Sequence, residues 1–492
     1  MILKHSLLAA AATAATACAP APPPAGAETG TQTGAQTVVI GETDAQGREA
    51  LAYSLALQAY LYTYPLFILE RERKRRETLT EAQANGPMAP LNRLGHMSWL
   101  ADAGSDMPYS PNNDTVYTGV ALDLAAEPVI LDMPAIQDRY AVVQTTNAYM
   151  ENQTYHYSPR VNGGEAAQLA FVGPDWDGAL PPGVEKVEVD TNSAVLAIRL
   201  AVRRNEQDLA TVRAYQDQMS LTPLSAWADG PTDIRPAIPA PKARKDFKGP
   251  FARFEKAAVL LGENPPPKRH AAMNATLWRI GLEPGRPFDP EALDPDTRAG
   301  VLRALQDGPA VMEYLRRNRG RRFPTGWDTA RYADNIVFDY AARAAISLVG
   351  LLGNDPEEAI YFYTYFDAEN EPLDGARRYT MRFEPEDIPE INDLGFWSVT
   401  MYDGDSYLLV DNPINRYSIG SRHDLKYNED GSLDLYIQPD APGGELNRNW
   451  LPSPEGRPYR VTFRIYSPTA QTTRSLYDRE LALPPLEPVS AP

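Results

Sequence analysis

Alternating apolar and polar residues dominate two parts of the chain and predict strands in both. Between residues 116 and 200, short runs rich in β-branched and aromatic residues are separated by turn residues, as in a sandwich or a barrel. From residue 361 onward, strands of the same kind dominate again. The last of these strands has one apolar and one polar face, formed by Val461, Phe463 and Ile465 and by Arg460, Thr462 and Arg464, respectively. The pattern therefore predicts an N-terminal and a C-terminal β domain.

Helical spacing of apolar residues marks the start of the first domain. It begins near Gly47, and Pro65 is expected to end or kink this helix. The charged run that follows at residues 70–76 (ERERKRR) is most simply a solvated face. One helix is thus expected before the first strands.

The middle of the chain combines prolines with helical segments. Residues 223–267 are rich in proline, which indicates a connection between domains. Apolar residues recur at helical spacing around residues 297–317 and 334–352. A Pro-rich and helical connection is therefore predicted between the two β domains.

Length and charge narrow the class of protein. The chain has 492 residues, 43% of them hydrophobic and 23% charged, so most of it is expected to fold into more than one domain. Its formal net charge of −18 disfavours nucleic acid and anionic lipid as main partners, because both would repel it. No nucleic-acid partner is predicted.

The first 17 residues predict export. One lysine is followed by the uncharged apolar run 7–17, the layout of a signal peptide, and the only cysteine of the chain, Cys18, comes next. We expect Cys18 to be lipidated, which would anchor the protein to a membrane at the periplasmic face of a Gram-negative envelope. The alternative is cleavage after Ala17 and a soluble periplasmic protein. Residues 18–47 are predicted to form a flexible tether.

Several segments resemble a known family. The segment Tyr109–Tyr117 (YSPNNDTVY) resembles the hallmark of a bacterial domain of unknown function, numbered 1254. Phe396–Arg422, Asp430–Gln438 and Asn449–Pro468 resemble its partner domain, numbered 1214. The resemblance covers nearly everything from about residue 51 to residue 468. This family has no agreed biochemical activity, so no catalytic residue is carried over.

The resemblance implies an architecture. We expect an α+β fold, mainly β with helices, that starts with a β-sandwich-like domain at residues 48–222. A Pro-rich and helical connection at residues 223–355 and a jelly-roll-like β domain at residues 356–483 follow. Proteins of this family often form oligomers, so a homo-oligomer is also expected.

Motifs of known chemistry are absent from the sequence. The histidines after the leader are His96, His156, His270 and His423, and no two of them lie three or four residues apart, as a helical zinc pair requires. The sequence contains no phosphate loop, no dinucleotide fingerprint and no nucleophile elbow. No metal and no cofactor are predicted, and the catalytic residues, if any, are unknown.

Two clusters combine aromatic rings with amide or charged groups. The first comprises Tyr109, Asn112, Asn113, Asp114 and Tyr117, and the second comprises Trp397, Asn412, Arg416 and Tyr417. Such amides and carboxylates bind sugar hydroxyls, and aromatic rings stack on a sugar face. The structural alternative is a turn capped by its own side chains, which Pro413 favours in the second cluster.

Three functions compete at this point. The leading hypothesis is that the protein binds a polar, carbohydrate-like ligand in a groove between the domains. The alternative is an extracytoplasmic hydrolase or lyase that uses acid and histidine groups such as Asp114 and His156. Convergence of these two residues with Arg416 in one pocket would favour that enzyme. The third function is that of a structural component of an oligomeric assembly.

Overall fold

The first helix of the computed structural model, α1, spans Thr33–Glu77. The structure describes residues 33–84, 86–105, 110–203, 206–227, 245–318, 320–330, 338–349 and 352–489. Cys18 and the apolar leader therefore lie outside the described residues. By its contacts the chain divides into two compact units, Met1–Gly47 and Arg48–Pro492.

Helix α1 differs from its prediction in where it begins and in where it ends. It begins at Thr33, so residues 33–47 are helical and not part of a flexible tether. The tether prediction rested on prolines and glycines, but the last proline before α1 is Pro24, and an established helix extends at little cost where no proline blocks it. The helix also continues through Pro65 to Glu77. No helix in the described part of the chain, α1 included, is long and apolar enough to cross a membrane.

The solvated face predicted for the charged end of α1 is confirmed for Arg71, Lys74 and Arg75, which are exposed, but not for the opposite side of the helix. Glu70, Arg73 and Arg76 are buried. An Nη of Arg73 lies 2.6 Å from an Oδ of Asp123, and the Nε lies 2.8 Å from an Oε of Glu77. The buried side could not be predicted, because a run of alternating charges does not indicate which side chains will form ion pairs with distant segments of the chain.

The N-terminal β domain consists of two four-stranded sheets, with the strand orders β1-β2-β7-β4 and β6-β5-β3-β8. Its elements are β1 (Gly95–His96), β2 (Thr115–Asp123), β3 (Val129–Met133), β4 (Ala141–Asn147), α2 (Pro159–Asn162), β5 (Ala167–Val172), β6 (Glu185–Glu188), β7 (Ser193–Ala201), α3 (Glu206–Gln216) and β8 (Ser220–Pro223). Val116, Val120 and Leu196 of one sheet share an apolar core with Leu131 and Phe171 of the other. The inner faces of both sheets are thus covered, as in a sandwich.

The middle of the chain forms a helical layer with its own core, and α1 belongs to this layer. Its other helices are α4 (Ala252–Glu263), α5 (Ala271–Trp278), α6 (Pro295–Arg317) and α7 (Tyr340–Val349). The side chain of Asp294 caps α6 by accepting a hydrogen bond from the Thr297 N–H, and Pro295 occupies the first turn. Helices α1 and α6 approach so closely that a Cβ at Gly300 would lie 2.3 Å from the Glu49 carbonyl oxygen. The predicted connection is therefore a packed layer.

The C-terminal β domain packs a six-stranded sheet, in the order β14-β13-β17-β11-β10-β9, against a four-stranded sheet in the order β16-β15-β12-β18. Its elements are β9 (Gly320–Arg322), β10 (Asp328–Ala330), β11 (Ala359–Thr364), β12 (Tyr379–Phe383), β13 (Ile391–Asp403), β14 (Ser418–Gly420), β15 (Leu433–Gln438), β16 (Trp450–Pro452), β17 (Tyr459–Pro468), α8 (Ala470–Asp478) and β18 (Glu487–Pro488). Strand β18 and the buried Leu486 extend the domain beyond residue 483. With 31% helix and 25% strand, the predicted α+β class is confirmed.

Candidate functional site

The two β domains meet through sheet faces that carry polar side chains beside apolar ones such as Val142 and Phe396. On β17, Val461, Phe463 and Ile465 lie in the apolar core, as their alternation predicted. The opposite face carries Arg464, which is paired in register with Tyr361 of β11. In the N-terminal domain, Tyr117 of β2 is paired in the same way with Arg199 of β7. Each domain therefore presents a tyrosine beside an arginine.

Asp114 joins the two domains at the start of β2. It is only 1% exposed, and its carboxylate accepts hydrogen bonds from Ser398 Oγ at 2.6 Å and Ser418 Oγ at 3.2 Å. An Nη of Arg422 lies 3.3 Å from the same carboxylate. All three partners belong to the C-terminal domain, so Asp114 is more than the cap of a turn.

Asn112 acts both as a turn residue and as a link between the domains. Its Oδ1 accepts a hydrogen bond from the Asp114 N–H at 2.7 Å, which is the predicted Asx-type turn. Its Nδ2 donates to the hydroxyl groups of Tyr117 at 3.1 Å and Tyr466 at 2.8 Å. The predicted turn is thus present, and the link to Tyr466 of the C-terminal domain was not predicted.

Two of the arginines at this interface are buried without a carboxylate partner. Arg199 is 4% exposed and donates to the side-chain carbonyls of Gln144 and Asn354 at 2.5 and 3.2 Å. Arg464 is 5% exposed and donates to the hydroxyl groups of Thr400 and Tyr402, each at 2.7 Å. Among the described residues, no ion pair joins either guanidinium to a carboxylate.

These contacts define one set of residues, which we call the interdomain cluster. It comprises Asn112, Asp114, Tyr117, Arg199, Tyr361, Ser398, Arg422, Arg460, Arg464 and Tyr466. Arg460 of β17 belongs to the cluster because its guanidinium binds Ser110 Oγ of the N-terminal domain. It is also buried, and its Nε has no hydrogen-bond partner among the described residues. The cluster therefore holds four guanidinium groups and one carboxylate, within a chain whose net charge is −18.

The phenols of the interdomain cluster differ in acidity. Burial opposes ionisation of Tyr117, but the charge of Arg199 and the hydrogen bonds from Arg199 and Asn112 outweigh it, so the pKa of Tyr117 lies below its usual value. For Tyr361 burial is the stronger influence, and it raises the pKa above the usual value. Asn112, Tyr117 and Tyr361 are half-buried, so solvent reaches them.

The other predicted site residues do not join this cluster. Tyr109 lies outside the described residues. Asn113 is buried and donates to the backbone carbonyl of Ala101. Trp397 is 2% exposed, and it stacks on Phe383 and Phe463 in the core of the C-terminal domain. The alternation of its strand directs Trp397 inward, which corrects the expectation of a ring that stacks on a ligand.

Asn412, Arg416 and Tyr417 form a turn, the structural alternative given for them. The Asn412 side chain donates to the carbonyls of Val410 and Arg416 and accepts from the Arg416 N–H. The Arg416 guanidinium donates to the Trp450 carbonyl at 2.7 Å. Tyr417 is buried, and its hydroxyl lies 3.4 Å from Asn415 Oδ1. All polar contacts named here lie within the C-terminal domain.

The convergence that would favour the predicted hydrolase or lyase does not occur. Asp114 binds Ser398, Ser418 and Arg422. His156 Nδ1 lies 2.6 Å from an Oε of Glu185 on β6, and Arg416 binds backbone carbonyls. The three residues named for that enzyme thus have separate partners.

A second polar cluster was missed by the sequence analysis; we call it the Glu151 cluster. It comprises Tyr62, Asn147, Tyr149, Glu151, Asp190, Arg269, His270 and Arg343. The Tyr62 hydroxyl lies 3.0 Å from His270 Nδ1, and His270 Nε2 lies 2.7 Å from Glu151 Oε1. Arg343 and Arg269 also bind this carboxylate. No local signal could have revealed the cluster, because His270 and Glu151 are 119 residues apart.

The centre of the Glu151 cluster is closed to solvent, whereas Arg269 and Asp190 at its edge are partly exposed. Glu151 is 1% exposed, and Tyr62, His270 and Arg343 are 0% exposed. Burial alone would raise the pKa of Glu151, but the hydrogen bond from His270 and the charge of Arg343 outweigh it and lower the pKa to about 2. The carboxylate is therefore charged at neutral pH and fully partnered.

An open cleft of about 550 Å³ lies where the loop after β4 meets the start of the C-terminal domain. Its lining includes Asn152, Tyr155, Arg160 and Asp355. Burial raises the pKa of Asp355 to about 6, although the side chain of Asn152 donates to it at 2.9 Å. Among the residues that the structure describes, no group of three or more histidine, cysteine, aspartate or glutamate side chains is placed to hold a metal ion.

The fold and the cluster define a class: an α+β protein in which two β domains meet through sheet faces with polar and apolar side chains, beside a helical layer. Family models of two domains of unknown function match this chain, DUF1254 at residues 91–223 and DUF1214 at residues 358–470. The chain belongs to the family of proteins in which these two domains follow each other in this order. The resemblance in the sequence analysis is thereby confirmed.

Compared with solved structures, the chain has a fold similar to that of one from Vibrio parahaemolyticus. A crystal structure of the VPA0106 protein from Vibrio parahaemolyticus has 26% identity and a TM-score of 0.65, and the match covers 89% of this chain and 100% of the other. A putative uncharacterized protein from Burkholderia cenocepacia has 12% identity and a TM-score of 0.40, over 92% and 97% of the two chains. Neither name states an activity. No curated protein matches the chain.

Proposed function

We propose that this protein binds a small polar, carbohydrate-like ligand at the interdomain cluster. The observation that carries the proposal is a set of partly exposed polar residues beside buried arginines where the two domains meet. Asn112, Tyr117 and Tyr361 are partly exposed, whereas Arg199 and Arg464, the strand neighbours of the two tyrosines, are buried. Ligands commonly bind where two domains meet.

The chemistry of the cluster suits a ligand with several hydroxyl groups. Phenols both donate and accept hydrogen bonds, and asparagine offers a donor and an acceptor on one side chain. Guanidinium groups donate in a fixed planar geometry, which orients a ligand. Groups from both domains would hold the ligand, so binding would also stabilise the interface between them.

Thermal unfolding with a panel of neutral and acidic sugars tests the proposal, because a ligand of the folded state raises the midpoint. We expect at least one sugar to raise the midpoint of the wild type and to raise that of Tyr117→Phe less. Tyr427→Phe, an exposed tyrosine in the C-terminal domain, is the matched control and should respond like the wild type. A panel with no effect on the wild type, or an equal effect on all three proteins, would count against the proposal.

A second candidate function is acid–base catalysis on the same ligand. It is favoured by the opposite pKa shifts of Tyr117 and Tyr361, since groups shifted apart in this way can serve as base and acid. Incubation of the wild type with each sugar that binds, followed by product analysis, tests it. Unchanged sugars would leave binding as the function.

We also propose that the protein is an exported envelope lipoprotein, anchored through Cys18. The support is the layout of residues 1–18 in the sequence. Globomycin treatment, or Cys18→Ser, should cause the precursor to accumulate or the protein to leave the membrane fraction. Normal maturation to a soluble form in both experiments would refute the anchor.

A further inference from the structure

The interdomain cluster has a surplus of positive charge. Arg199, Arg460 and Arg464 are buried, and their hydrogen-bond partners among the described residues are neutral oxygens. Arg422 shares the one carboxylate of the cluster, Asp114. The surplus is unusual in a chain with a net charge of −18.

The buried cations of the cluster outnumber its carboxylate, because the charge of Asp114 acts on Arg464 as well as on Arg422. Removing a guanidinium from water is unfavourable unless an opposite charge lies nearby, and neutral carbonyls and hydroxyls compensate only in part. The phenol of Tyr117 is the group that responds, since the charge of Arg199 favours its ionised form. A tyrosinate is a poor counterion at neutral pH, so the surplus remains.

We propose, building on the proposed function, that the ligand of the interdomain cluster carries a carboxylate, and is thus a sugar acid such as a uronate. The carboxylate would lie between Arg199 and Arg464, whose charges both act on the phenol of Tyr361. Guanidinium groups match a carboxylate in shape as well as in charge. The hydroxyl groups of the same sugar would bind the phenols and Asn112.

Matched ligands separate this inference from the proposed function. Galacturonate, its methyl ester, galactose and inorganic phosphate are compared by isothermal titration with the full-length protein. We expect galacturonate to bind at least about tenfold more tightly than galactose or the methyl ester. If galactose binds as tightly as galacturonate, the ligand does not need a carboxylate; this would overturn the inference but leave the proposed function standing. Equal binding of phosphate would show a general anion site and overturn the sugar acid.

Variants locate the carboxylate. Arg464→Gln should abolish the preference for galacturonate over galactose, whereas Arg464→Lys, which keeps the charge, should retain part of it. Arg382→Gln, at an exposed arginine of the C-terminal domain, is the control and should bind like the wild type. A preference unchanged in Arg464→Gln, or lost equally in Arg382→Gln, would overturn the assignment. If no ligand binds the wild type, both the inference and the proposed function fail.

Discussion

The two polar clusters of this protein use arginine in opposite ways. In the Glu151 cluster, Arg343 and Arg269 share the carboxylate of Glu151, and the central groups are sealed from solvent. In the interdomain cluster, Arg199 and Arg464 donate to neutral oxygens beside the partly exposed residues Tyr117 and Tyr361. In one cluster the arginines share a carboxylate through ion pairs, and in the other these two arginines do not.

The contrast teaches how to separate structural from functional polar groups. A buried charge with a full set of partners stabilises a fold only modestly, but removal of one partner is costly because the other is left buried and charged. A buried charge without a counterion costs stability and is retained where it serves binding. Whether the buried charges form ion pairs is thus a better guide to function here than whether a histidine is present.

The largest effect is expected for Glu151→Gln. The change leaves Arg343 and Arg269 without their shared carboxylate, so the free energy of unfolding should fall by about 3–5 kcal/mol. Denaturant unfolding measures the loss. A change of less than about 1 kcal/mol would show that the cluster does not stabilise the protein as described.

The same carboxylate gives a pH dependence with a defined sign. The pKa of Glu151 is lowered to about 2 from an ordinary value of 4.5, so its contribution is present above pH 4.5 and is lost as the pH falls toward 2. Unfolding of the wild type and of Glu151→Gln should therefore converge in acid. Parallel curves down to the lowest accessible pH would contradict the charged, partnered carboxylate.

A pair of identical substitutions sharpens the comparison. Arg343→Met should destabilise the protein by about 3 kcal/mol because it leaves Glu151 with fewer counterions. Arg464→Met removes a cation that donates to neutral hydroxyl groups and has only a share of the charge of Asp114, so it should cost about 1 kcal/mol or less. Denaturant unfolding of both variants provides the test. Equal losses of unfolding free energy would contradict the difference described between the two clusters.

A smaller effect is expected for Asp355 in the open cleft. Its pKa is raised to about 6, so the charged form opposes folding, and stability should fall as the pH rises from about 4 to 6. Asp355→Asn should therefore stabilise the protein at neutral pH by about 1–2 kcal/mol, and hardly at all below pH 4. Thermal unfolding across this range is the measurement. A variant less stable than the wild type at neutral pH would contradict the shift.

Part of the fold could be predicted because it depends on local pattern. The alternation along β17 correctly separates the core residue Phe463 from the interface residue Arg464. The partners of Arg73 could not be predicted, because the charged run at residues 70–76 is informative only once Asp123 is folded against it. The start of α1 was also missed, since composition alone does not show how far a helix extends.

The candidate site was predicted in part for the same reason. Asn112, Asp114 and Tyr117 lie within one short segment, so their polar and aromatic character was visible in the sequence. Arg199 and Arg464 come from distant strands, and only the pairing of β2 with β7 and of β11 with β17 brings them to that segment. Trp397 was misassigned because an aromatic residue on a strand looks the same whether it faces the core or a ligand.

The most direct test of the account is the phenolate absorbance of the wild type and of Tyr117→Phe, with and without galacturonate, at a pH slightly below 10. The charge of Arg199 lowers the pKa of Tyr117, so Tyr117→Phe should lose more phenolate signal than Tyr427→Phe, which removes an exposed tyrosine. A bound carboxylate would neutralise Arg199 and raise the pKa of Tyr117, so galacturonate should reduce the wild-type signal and galactose should not. Equal losses of signal in the two variants, or a wild-type signal that galacturonate leaves unchanged, would contradict the account.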